Sequence, residues 1–243
     1  MKDTTLPGEW VMTSATAATL PERLRLALEW WEFLLLHFPD RKFYWDSKNS
    51  RPIFDVYTDA SAEDRWEGLG GVAFFGRLTE ACTVRPQAPP DLENLLPPTH
   101  SQKVRISQLE LMAVLLTIRT LGSRLKNSIT RIHIDNLAAK FALINCYRGN
   151  PFMARLSHET WSLLLEYNIT PYFNYVTSAE NVADIFSRPD LELVGRKLVV
   201  KYNWKPVDPY SHITDLANRI KRTPKEAWMH LWTTLYGGTR YSC

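Results

Sequence analysis

Three short β-rich runs, residues 53–58, 69–75 and 81–84, follow one another at hairpin spacing, and only beyond them does the pattern turn to helices alternating with strands. This order constrains the fold more than any other feature of the chain. Closely spaced runs bounded by turn residues pair antiparallel. From residue 107 to 121 the apolar positions Leu111, Val114, Leu115 and Ile118 recur at three- and four-residue steps, which predicts a helix with one buried stripe. Residues 131–135 then predict a strand, 137–146 and 152–167 two helices, 169–176 a strand and 181–187 a short helix. The order is β-β-β-α-β-α-α-β-α. A helix between strands carries the chain back across the sheet by a right-handed crossover, so the later strands are expected to pair parallel to the first.

The flanks differ in character. Residues 1–19 lack periodicity and predict a loose arm, whereas Leu24, Ala27, Leu28, Trp31, Leu34, Leu35 and Phe38 predict an amphipathic helix with Pro21 in its first turn. Residues 40–51 form a polar connector, and the Pro-rich stretch 86–98 cannot enter a ladder and is expected as a surface loop. The expected division is an N-terminal arm with an amphipathic helix, 1–51, an α/β domain 52–190 and a C-terminal extension 191–243. That extension carries nine Lys/Arg against four acids, a candidate helix at 211–221 and the aromatics Trp228, Trp232 and Tyr236. The whole chain is close to balance, with 29 Lys+Arg against 26 Asp+Glu, so attraction for a polyanion must be local.

Cys82, Cys146 and Cys243 lie far apart without a C-x-x-C spacing, which argues against a disulfide framework or a Cys-rich zinc site and for an intracellular compartment, nucleus or cytoplasm. The longest apolar run, residues 33–36, is far short of the roughly 20 residues of a membrane-spanning helix. No membrane partner is expected.

Four acids stand out by position. Asp59 is expected to close the first strand, Asp135 to close the strand after the long helix, Glu110 to lie in the first turn of that helix and Asp184 in the short helix after the last strand. Taken singly, each has a plain role: Ser107-x-x-Glu110 is a capping-box pattern, Asp59 a turn former, Asp135 a helix cap and Asp184 a surface acid. Taken together they are expected to meet, because parallel strands gather their ligands at neighbouring carboxyl ends. Crowded carboxylates repel unless cations neutralise them, and ligation by oxygen alone selects Mg²⁺ or Mn²⁺, here two ions.

The segments Thr58-Asp-Ala-Ser61, Ile106-Ser-Gln-Leu-Glu-Leu-Met-Ala113, Ile132-His-Ile-Asp-Asn136 and Asn181-Val-Ala-Asp-Ile-Phe-Ser-Arg188, in that order, resemble the ribonuclease H domain of retroelement reverse transcriptases. The last segment is similar to long-terminal-repeat and DIRS-type retrotransposons in particular. The resemblance covers about residues 52–190. It implies a ribonuclease H-like fold, a mixed five-stranded sheet of order 3-2-1-4-5 flanked by helices, and metal-dependent hydrolysis of the RNA strand of an RNA–DNA hybrid. It also implies that Asp59, Glu110, Asp135 and Asp184 bind the metals, with Ser61, Asn136, Asn181 and Arg188 against the nucleic acid.

The chain departs from that family in two places. Many members carry a histidine in the loop before the last helix, but residues 176–181 contain none, and His133 and His158 are read as structural or surface histidines. Bacterial-type members insert a basic helix between the second and third helices, whereas Arg148-Gly-Asn-Pro151 joins them directly here. Grip on a hybrid is then left to the basic extension or to a separate polymerase or other protein subunit. The rival expectation is a domesticated, inactive domain serving as a structural or nucleic-acid-binding subunit of a larger complex. A junction resolvase or integrase on the same fold is a third.

Overall fold

The first strand runs well beyond residue 58. In the computed structural model, which describes residues 51–63, 66–77, 81–85, 101–146 and 151–209 and the isolated positions 25, 28, 29, 32 and 212, β1 spans Ile53–Glu63. Strand alternation sends Val56 and Thr58 into the core and Asp55, Tyr57 and Asp59 to the opposite face. β2 (Trp66–Phe74) pairs antiparallel with β1, and β3 (Ala81–Val84) antiparallel with β2. β4 (Ile129–Ile134) lies parallel to β1, and β5 (Thr170–Tyr175) parallel to β4. The order β3-β2-β1-β4-β5 is the one implied by the ribonuclease H resemblance, and the architecture is a ribonuclease H-like α/β fold.

The helix α1 (Gln102–Leu125) starts earlier than its apolar stripe suggested. The carbonyl of Ser101 accepts from the amides of Val104 and Arg105, and the Arg105 guanidinium pairs with Glu67 through two bonds of 2.5 and 2.6 Å that tie the first turn to β2. Lys103 and Arg105 hid this turn because they break the hydrophobic period. Two expectations are corrected in consequence. Glu110 lies in the third turn, not the first, and Ser107 caps nothing, since its hydroxyl donates back to the Lys103 carbonyl at 2.9 Å.

Leu111, Met112, Val114 and Leu115 are all fully buried, so α1 is enclosed nearly all round. It packs between the sheet and two helices, α2 (Leu137–Asn145) and α3 (Pro151–Glu166), and its side chains join Val56, Ile132, Ile134, Leu143 and Leu163 in the main core. Each such leucine or isoleucine contributes roughly 1.5–3 kcal/mol by leaving water.

The segments after β5 cover the other face of the sheet. A 3₁₀ turn (Ser178–Glu180) leads to the one-turn helix α4 (Asp184–Ser187), then to α5 (Glu192–Tyr202) and a strand β6 (Lys205–Val207) parallel to β3. The sheet therefore has six strands, where five were expected. Trp204 explains the addition: its ring meets Phe74 edge-on at 5.5 Å and lies 6.2 Å from Phe186, which brings residues 205–207 alongside β3. A three-residue strand containing Pro206 leaves no periodic signature in the sequence.

The arm 1–19, most of the helix expected after Pro21, the connector 40–50, the Pro-rich loop 86–98, the junction at 148–150 and the tail with its helix and aromatics lie outside the described residues. Among the described residues, Cys82 and Cys146 are free thiols and no helix is long and apolar enough to cross a membrane.

One glycine sets the spacing of the second layer. Gly70 pairs across from Asp59, and a Cβ there would stand 2.5 Å from the Ala183 carbonyl and 2.8 Å from the Ser187 amide. Helix α4 thus rests directly on the β2 backbone. Gly70→Ala is expected to cost roughly 1–3 kcal/mol by overpacking, read as a lower midpoint in chemical denaturation. An unchanged midpoint would mean that α4 is not seated there.

Candidate metal centre

Parallel pairing of β1 with β4 stops at Thr58↔Ile134, while the antiparallel pairing of β1 with β2 continues through Asp59↔Gly70. Asp59 is therefore inside a strand rather than at its end, a correction to the expected position. It nevertheless stands where β1 loses its parallel neighbour, so the sheet opens on that side. Asp135 follows the last residue of β4, and Glu110 reaches in from the third turn of α1. Carboxylate oxygens of Asp59, Glu110 and Asp135 all lie within 4.8 Å of one another. They line an open cavity of about 380 Å³ whose walls also include Ser61, Asn136, Ser178, Asp184 and Arg188.

Burial makes this crowding expensive. Asp59 and Glu110 are each only 3% exposed. Burial, reinforced by the charges of Asp135 and Asp184 and offset by the Ser187 hydroxyl and Arg188, pushes Asp59 up to about 7. Burial first, then the charges of Asp59 and Asp135, raise Glu110 well above the usual carboxylate range.

Hydrogen bonds hold the acids in place. The Ser187 hydroxyl donates to Asp59 Oδ2, and the Asn181 amide donates to Asp59 Oδ1 at 3.2 Å. The Ala60 amide donates to Glu110 Oε1 at 3.2 Å, and the Ser178 hydroxyl to Asp135 Oδ2 at 2.7 Å. Glu110 Oε2 is buried with no hydrogen-bond partner among the described residues. A buried oxygen without a donor, on a carboxylate grouped with two others, fits coordination to a hard divalent cation. The acidic triad could therefore bind a metal ion.

The other residues expected at the site divide by what they touch. Asp184 lines the cavity but is turned toward Arg188, whose Nε donates to its Oδ1 at 2.6 Å. The Ser61 hydroxyl donates to the Ser187 carbonyl at 2.7 Å. Asn136 caps α2 by accepting from the Ala139 amide at 3.0 Å. Asn181 is buried, donates to the Thr58 carbonyl at 2.9 Å as well as to Asp59, and accepts from the Ala183 amide at 3.3 Å. It ties the segment entering α4 to β1. Arg188 alone of these five offers a half-exposed cation to the cavity.

The sequence assigns no role at the site to Ser178, or to Ser187 although it lies within the Asn181–Arg188 segment. Ser187 lies three residues after Asp184, one helical turn on, and that offset was the available signal. Ser178 sits in the loop before α4, where a lone serine among turn residues carries no signal. His133 fills the structural role expected of it, its Nε2 2.9 Å from Asp55 Oδ1 and its ring stacked on Tyr57 at 4.2 Å. His158 is on α3, outside the cavity lining, and burial pushes it down to about 4.

Searches against protein families and against curated proteins find no match. Among solved structures, the chain is similar to the N-terminal RNase H domain of Rv2228c from Mycobacterium tuberculosis, solved as a fusion with maltose-binding protein. The TM-score is 0.43 at 10% sequence identity, over 60% of this chain and 98% of that one.

The electrostatics of the site has two measurable consequences. Because Asp59 titrates near 7 when folded against 3.8 unfolded, the metal-free folded chain binds the extra proton between those values. Its stability is then expected to fall as pH rises from about 4 to about 7, and saturating Mg²⁺ or Mn²⁺ should flatten that slope, both measurable by thermal denaturation. Glu110→Gln, which removes one charge and supplies a donor, is expected to raise metal-free stability by roughly 1–3 kcal/mol while abolishing the gain in Tm on adding divalent ions.

Proposed function

We propose that the chain is a metal-dependent endonuclease of ribonuclease H type, of retroelement origin, that hydrolyses the RNA strand of RNA–DNA hybrids. The observation that carries this reading is the meeting of Asp59, Glu110 and Asp135, drawn from three separate elements, in one open cavity. Asp59, Glu110 and Asp135 would hold a Mg²⁺ or Mn²⁺ ion, and Asp184 would join in holding a second. Bound there, the ions would supply an activated water and neutralise the leaving oxygen of a phosphodiester.

The protein's own part is positioning. Ser187 and Asn181 fix both oxygens of Asp59, Ser178 fixes Asp135, and the Ala60 amide orients Glu110, so the ligands need little rearrangement. Arg188 supplies a cation at the rim for a backbone phosphate. Among the described residues, no aromatic side chain lines the cavity as a platform on which a base could stack. Small polar groups and carboxylates suit reading of the backbone and its 2′-hydroxyls, the basis on which a hybrid is distinguished without regard to sequence. Retroelement origin is supported by the Asn181–Arg188 segment.

A second reading, the inactive subunit, is favoured by one observation: Leu193 and Val200 on α5 are 70% and 82% exposed, an apolar surface suited to a protein partner.

Asp59→Asn is expected to lower Mg²⁺-dependent cleavage of an RNA–DNA hybrid by on the order of 10²-fold or more while the circular dichroism spectrum is kept. Full activity in that variant would refute the proposal. Equal cleavage of duplex or branched DNA would point to a resolvase or integrase instead, and the absence of any turnover by the free chain would favour the subunit reading.

A further inference from the structure

The acids of the cavity are not equivalent. Three of them converge on one another, whereas Asp184 is engaged by Arg188 and stands outside that group, although it lines the same cavity. We propose that Arg188 is the resident counter-ion of the fourth acid, a latch that limits the nucleic-acid-free chain to one tightly held divalent ion. This inference rests on the metal-centre reading above and adds an order of events to it.

The geometry supports a latch whose moving part is a side chain. The Arg188 carbonyl accepts from Arg85 Nη2 at 3.1 Å, which pins the backbone, and the Ser187 hydroxyl is held by Asp59 on the preceding residue. Only the guanidinium stem is left to swing. Its contact with Asp184 is through Nε alone, and the two side chains are 44% and 22% exposed. An ion pair that wet is weak and is readily exchanged for a better anion. A phosphodiester oxygen is such an anion, because guanidinium binds it in a fork of parallel hydrogen bonds.

Electrostatics makes the two states exclusive. With Arg188 on Asp184, the charge of the fourth carboxylate is already compensated, and a further divalent ion would have to displace a positive charge at close range. With Arg188 drawn onto a phosphate, the charge of Asp184 is left uncompensated beside Asp59. The second ion is thereby admitted only when the polyanion that needs it is present.

Ion counting tests this without reference to catalysis. Mn²⁺ titrated into the intact free chain, followed by calorimetry and by the loss of the free-ion electron paramagnetic resonance signal, is expected to show one tightly bound ion in the wild type. Arg188→Gln is expected to double that count, and Arg188→Gln combined with Asp184→Asn to return it to one. Arg188→Lys, which keeps a cation at the position, should behave as the wild type. Two tight ions in the wild type, or one in both the wild type and Arg188→Gln, would overturn the latch while leaving the metal centre standing. Absence of tight Mn²⁺ binding from every form would overturn the latch and the metal-centre reading together.

Discussion

Burying a carboxylate at the middle of a β-strand is costly unless the chain supplies donors for it, and this protein folds a whole segment around that need. Asp59 is met by Asn181 at one oxygen and Ser187 at the other, and the same stretch is held to the Thr58 carbonyl and seated on Gly70. The architecture and the chemistry therefore share one set of contacts. A side chain on Gly70 or a lost amide at Asn181 would disturb the layer of α4 and the acidic triad at once.

The triad is compatible with folding only because its repulsion is deferred. Donors from Ala60, Ser178, Asn181 and Ser187 cover four carboxylate oxygens, yet Glu110 Oε2 has none among the described residues. Such an arrangement holds protons when no ion is present, which is why Asp59 and Glu110 are both raised. The rest of the fold must supply the stability that the site withholds, and the enclosed α1 with its leucines and isoleucines is where it does so.

Most of the fold was legible because the main core is periodic. The stripe of Leu111, Val114, Leu115 and Ile118 and the alternation around Val56 are direct consequences of burial on one face, and the three-strand meander before the alternating helices and strands announced the sheet. What the sequence concealed was aperiodic: the first turn of α1, held by the Arg105–Glu67 pair, and β6, held by Trp204. At the site, the acids could be picked out by their motifs and their order along the chain, although Asp59 lies inside its strand and Glu110 in the third turn of α1, and three of the four lie together. The serines that fix them could not, since a hydroxyl's partner depends on tertiary placement and serine is common on surfaces and in turns alike.

The parallel strand β6 also bears on where this chain can be cut. It occupies the outer hydrogen-bonding edge of β3, which would otherwise present unpaired amides and carbonyls to solvent. A fragment ending near residue 190, the natural choice if the motifs alone set the boundary, would strip away Trp204 and this strand together. It would leave a bare edge able to template pairing with another copy, so that insolubility of such a truncation would reflect a missing border rather than an unstable core.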